Sequence, residues 1–189
     1  MKTKDSSKAY TKSAGNRPLA MVRIRPRAGN CRRGWLTYGG RVIPVALGRG
    51  GILANKREGD GGTPKGTFRP RQLWWRADRH TLPRTFLPTR AIGPEDGWCE
   101  DPSDRRYNQP IRMRCGQPGD RLTRDDHLYD FIVEIDHNTQ PRVAGRGSAV
   151  FLHLARDNFG PTAGCVSMTK QAMLHLLRRL SRKTKIVIG

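Results

Sequence analysis

Short apolar runs, each bounded by Gly, Pro or Asp, recur along this chain at spacings that suit strands better than helices. In residues 21–25, Val22 and Ile24 alternate with Arg23 and Arg25, which puts aliphatic groups on one strand face and guanidinium groups on the other. Residues 35–38 and 41–47 flank Gly39-Gly40, a pair that tolerates positive φ at both turn positions and predicts a tight hairpin. Further strands are predicted over 68–75, 131–135 and 149–154, with 185–188 as a closing strand. Trp74 and Trp75, adjacent within one of them, must then point to opposite faces. A single helix is predicted over 169–180, where Ala172, Met173, Leu176, Leu177 and Leu180 recur at helical spacing and the end is basic. The fold class is therefore mainly β with a minor helical component.

Composition sharpens this only in part. A chain of 189 residues is long enough to bury one core. Residues 1–18 are rich in Lys, Ser, Thr and Gly without apolar periodicity and read as a flexible basic tail, leaving 19–189 as the folded domain. Residues 92–124, crowded with Pro, Gly and charge, read as an insertion or lid. The formal net charge of +20 favours an anionic partner, with nucleic acid, anionic lipid and an acidic cell wall all qualifying beside a merely solvated basic surface. No run is long enough to span a bilayer, and the start shows no apolar segment of an export signal.

The four cysteines, Cys31, Cys99, Cys115 and Cys165, form no CxxC pair, so no structural zinc site and no other metal is expected. Cys99 and Cys115 are compatible with a disulfide or with separate thiols. The chemistry concentrates in FLHLARDNFGPTAGCVSM, residues 151–168. An apolar strand there carries His153, and a Gly-bearing turn then presents Cys165. An imidazole that accepts the thiol proton turns a weak nucleophile into a strong one. Gly164, lacking a side chain, lets backbone N–H groups approach a substrate carbonyl and stabilise an oxyanion. By parity with Phe131, Val133 and Ile135, His137 is a second histidine able to reach an interior site.

The segment Thr162-Ala163-Gly164-Cys165-Val166-Ser167-Met168, with His153 upstream, resembles the active-site signature of the L,D-transpeptidase (YkuD-like) catalytic domain. Gly62-Thr63-Pro64-Lys65-Gly66-Thr67-Phe68 is similar to a G-x-TP-x-G-x-F turn of the same family. Ala163 and Ser167 stand where many members have His and Arg or Asn, and the His-to-Cys interval is short, which marks a divergent branch.

The resemblance implies a sandwich-like or barrel-like β domain with at least one packed helix. It also implies Cys165 as nucleophile, His153 as base, Thr162 as the hydroxyl that orients the histidine, and Gly164 and Cys165 as oxyanion-hole amides. Arg156, His137 and Ser167 become candidates for holding substrate. The implied reaction is acyl transfer from a peptidoglycan stem peptide through a thioester to an amine, in the periplasm or cell envelope, by a monomer without cofactor. The alternatives are hydrolysis on the same fold, as in an L,D-carboxypeptidase, and a noncatalytic basic protein that binds polyanions or nucleic acid.

Overall fold

The computed structural model describes residues 17–114 and 118–189. The first sixteen residues of the expected tail, and Cys115 of the possible Cys99–Cys115 pair, lie outside the described residues. Strand β1 (Met21–Arg27) leads into the predicted hairpin of β2 (Asn30–Tyr38) and β3 (Arg41–Ala46), whose turn has φ of 48° at Gly39 and 77° at Gly40. Two short strands, β4 (Ile52–Leu53) and β5 (Thr63–Pro64), pair in parallel. After them come β6 (Gly66–Phe68), β7 (Pro70–Trp75) and β8 (Thr89–Ala91). The expected insertion holds a separate three-stranded sheet of β9 (Asp96–Trp98), β10 (Pro110–Arg112) and β11 (Asp120–Arg121). The chain closes with β12 (Phe131–Ile135), β13 (Phe151–Leu154), β14 (Val166–Met168), helix α1 (Lys170–Leu177) and β15 (Lys185–Ile188).

Ten strands form one mixed sheet in the order β6-β15-β1-β2-β3-β14-β13-β12-β7-β8. Only Arg69 separates β6 from β7, yet β6 pairs with β15 near one end of that order and β7 pairs with β12 near the other. The predicted strand over 68–75 is thus bent at Arg69 and serves both ends, so the sheet curls back on itself. Its concave side holds the main core. Val22, Ile24, Leu36, Leu73, Val133, Leu152, Leu154, Val166, Met168, Ile186 and Ile188 meet Met173, Leu176 and Leu177 of α1 there.

Thr169 caps α1 by accepting the Ala172 N–H at 3.2 Å. The helix stops at Leu177, short of the predicted 180, because Arg179 and Leu180 bond back over only three residues, to Leu176 and Leu177. Leu180 still reaches the core, which is why the apolar spacing overran the helix. A second, smaller core lies on the convex side, where Trp74, Ile132 and Phe151 meet Trp98, Ile92 and Leu122 of the insertion, together with Cys165. Trp75 packs on the main core, opposite Trp74, as strand geometry requires. No helix among the described residues is long and apolar enough to cross a membrane.

Candidate active site

The parallel pairing of β13 with β14 decides which side chains share a face. Its register is Leu152 with Val166, His153 with Ser167 and Leu154 with Met168. Paired residues project to the same side, so Leu152, Leu154, Val166 and Met168 enter the main core while His153 and Ser167 turn to the convex side. Cys165, one step before β14, has the same parity as Ser167. Its Sγ accepts the Phe151 N–H at 3.3 Å and donates to the Ala149 carbonyl at 3.2 Å. The nucleophile and base expected from sequence therefore line one cleft of about 590 Å³, together with Ser167 and Arg156.

The turn before Cys165 is fastened on two sides. Thr162 makes a backbone bridge to the chain after β3, donating to the Leu47 carbonyl and accepting from the Arg49 N–H, both at 2.9 Å. The Thr162 hydroxyl donates to the Cys165 carbonyl at 2.6 Å and accepts the Gly164 N–H at 3.1 Å. Thr63, fully buried in β5, accepts the Gly48 N–H at 2.8 Å and donates to the same Cys165 carbonyl at 3.5 Å. Gly164 has φ of +148°, and a Cβ there would lie 2.9 Å from the Gly62 carbonyl oxygen, so only glycine fits. The two motifs, read separately in the sequence, are thus in contact: the first supports the turn that presents the thiol.

Two expected roles change. Thr162 does not hold the histidine; it clamps the turn, because its hydroxyl is satisfied within its own four-residue segment. His153 is oriented instead by its neighbour: Nδ1 lies 2.8 Å from the Leu154 carbonyl, which only accepts, so Nδ1 carries the proton and Nε2 keeps its lone pair. The Gly164 N–H, expected in the oxyanion hole, is taken by Thr162.

Burial leaves both Cys165 and His153 neutral. Loss of solvation pushes the Cys165 thiol up to about 12, with the Asp120 and Glu100 carboxylates adding to the rise and the Phe151 N–H opposing it. The same loss of solvation holds His153 down at about 4, against the Leu154 hydrogen bond that favours its charged form. Cys165 thus stands as a thiol and His153 as a neutral imidazole whose Nε2 is unprotonated.

The YkuD family model, the L,D-transpeptidase catalytic domain, matches residues 22–188. The chain belongs to that family. A solved structure of Mycobacterium tuberculosis L,D-transpeptidase 1 matches with 11% identity and a TM-score of 0.36, covering 89% of this chain and 61% of its own. No protein of curated function is significantly similar in sequence. The observed fold agrees with the expected class: mainly β, with one packed helix and a large mixed sheet.

Within this L,D-transpeptidase-family domain, several cleft residues escaped the sequence reading. Tyr129 sets its ring edge-on to His153, with centroids 5.5 Å apart, and donates its hydroxyl to Asp120 at 2.6 Å. Arg124 lies over the Tyr129 ring at 5.1 Å. Lys56, Glu58 and Glu100 add to the polar lining, with Lys56 tied to Asp60 at 2.6 Å and Glu58 accepting from Ser148 at 2.7 Å. These come from the insertion and from loops, where no periodicity marks a side chain as inward. His137 is not among the cleft residues: β12 ends at Ile135, Asn138 turns the chain at φ 51°, and His137 instead bonds the Arg146 carbonyl and packs on Phe68. The parity that pointed to His137 stops with the strand.

Proposed function

We propose that this protein is a cysteine-dependent peptidoglycan L,D-transpeptidase of the cell envelope. The observation that carries the reading is the shared face of Cys165 and His153 above a turn that only glycine allows. The thiol, now bonded to the Ala149 carbonyl, swings to the substrate and passes its proton to His153 Nε2 as Sγ attacks the carbonyl of a stem-peptide diamino acid. The tetrahedral intermediate collapses to a thioester, and His153 returns the proton to the departing terminal residue. An acceptor amine then attacks the thioester, giving its proton to His153 and restoring the thiol. With the Gly164 N–H engaged, the Cys165 N–H is the turn amide left to face the oxyanion.

Arg156 and Ser167 are assigned to substrate carboxylate and backbone, since both line the cleft. The insertion acts as a lid: it packs Trp98, Ile92 and Leu122 on the convex side of the sheet and contributes Glu100, Asp120 and Arg124 to the cleft. No step calls for a cofactor.

The test is turnover of a disaccharide–tetrapeptide with an added amine, read by mass spectrometry. Wild type is expected to join donor and acceptor with loss of the terminal residue. Cys165→Ala removes the activity, and His153→Gln lowers it by roughly two to four orders of magnitude. Turnover that survives Cys165→Ala sinks the proposal, and release of the shortened stem without amine capture reassigns it to hydrolysis.

A further inference from the structure

The charge of +20 is unevenly placed. Residues 17–57 carry ten Lys and Arg and residues 158–189 six more, and neither segment contains an Asp or Glu; residues 58–157 balance sixteen basic against fifteen acidic. The fold gathers the two acid-free segments, because β1, β2 and β3 come from the first, β14 and β15 from the second, and they are neighbours in the order β15-β1-β2-β3-β14. Register then sorts the side chains. Val187, Arg23, Thr37 and Val42 lie in one row across four strands, Arg25, Trp35 and Pro44 in the next, and Lys185 pairs with Met21. All project to the convex side, since Val22, Ile24, Leu36 and Ile186 fill the concave core.

Among the described residues no ion pair involves Arg23, Arg25 or Lys185. Between them stand large apolar groups left in solvent, Trp35 at 40% and Val42 at 64% exposure.

We propose that this outer face of β15, β1, β2 and β3 docks the protein onto a bilayer surface rich in anionic phospholipid. Guanidinium groups match phosphate headgroups in charge and geometry. Tryptophan is at home in the interfacial layer, and a protruding aliphatic side chain gains by entering the acyl boundary. Nucleic acid fits less well: on this face its bases would have Trp35 alone to stack on, and the exposed Val42 and Pro44 beside it offer them nothing. The surface is separate from the reaction, so its test does not depend on catalysis.

The full chain is mixed with vesicles of phosphatidylcholine alone and of phosphatidylcholine with phosphatidylglycerol, and the bound fraction is read by flotation across a salt series. Binding is expected only to the anionic vesicles, weakening as salt rises. At roughly fivefold per basic group near such a surface, Arg23→Gln/Arg25→Gln/Lys185→Gln lowers partition on the order of 100-fold. The control Arg84→Gln/Arg105→Gln/Arg112→Gln removes the same charge from the balanced half and is expected to lower it by less than about tenfold. Trp35→Ala/Val42→Ser, which leaves every charge in place, is expected to abolish the binding that persists at high salt. Three results overturn the proposal: no binding to anionic vesicles, equal loss in the two triple variants, or an Arg23→Gln/Arg25→Gln/Lys185→Gln variant that keeps its vesicle binding while losing binding to a single-stranded oligonucleotide titrated in parallel.

Discussion

Replacing His153 with Gln tests the electrostatics of the cleft without any substrate. The imidazole is buried and held at about 4 against an ordinary 6.5, so the folded protein keeps it neutral where the unfolded chain protonates it. A depressed pKa contributes stability that is whole above pH 6.5 and is lost as pH falls towards 4. Holding the imidazole at about 4 rather than 6.5 corresponds to roughly 3 kcal/mol, and most of it is gone by pH 4. Glutamine cannot titrate, although its amide can still donate to the Leu154 carbonyl. Urea unfolding at pH 7.5 and pH 4, followed by tryptophan fluorescence, gives the loss for each protein, and every other titrating group contributes equally to both. Wild type is expected to lose about 3 kcal/mol more than the variant over this interval. If the two lose the same amount within about 0.5 kcal/mol, the histidine is not desolvated and the neutral-pair description is wrong. Should the variant not fold, NMR titration of the wild-type imidazole answers the same question: an apparent pKa near 6.5 contradicts the account.

The turn and the thiol give further checks. Gly164→Ala forces a side chain into φ of +148° against the Gly62 carbonyl and should cost about 1–3 kcal/mol of stability, read from urea midpoints, with larger loss of acyl transfer; an unchanged midpoint would show that the turn is not constrained. Thr162→Val leaves the Gly164 N–H and Cys165 carbonyl without the hydroxyl between them and should cost about 1–3 kcal/mol, whereas Thr162→Ser should restore most of it. In alkylation followed by peptide mass mapping, the exposed Cys31 should react well before Cys165. The rate at Cys165 should keep rising past pH 9, since its thiolate fraction is roughly a thousandfold below that of an ordinary thiol. A rate already at plateau near pH 7 would mean a preformed ion pair.

The strands legible in the sequence were those with a side chain pattern to read. Alternation located β1, the Gly39-Gly40 pair located the β2–β3 hairpin, and the apolar run at β12 fell where expected. Ala149 and Val150 extended the predicted strand too far because φ of 50° at Ala149 breaks the extended chain, which composition does not reveal. The break at Arg69 was equally hidden: both sides of it are strand, and only their partners differ. The thiol and the imidazole were legible because they sit in a recognisable segment, and their common face follows from register. Tyr129, Asp120 and Arg124 were not, since they reach the cleft through the folding of residues 92–124 and the loop that follows, where no local rule says which polar group turns inward.

The proposed reaction requires that Cys165 become acylated. Intact-protein mass spectrometry of wild type and Cys165→Ala, each incubated with a stem-peptide donor and separately with a carbapenem, tests it in one step. A single adduct is expected on wild type, mapped to Cys165 and absent from the variant. An unmodified wild type, or the same adduct on both proteins, contradicts it.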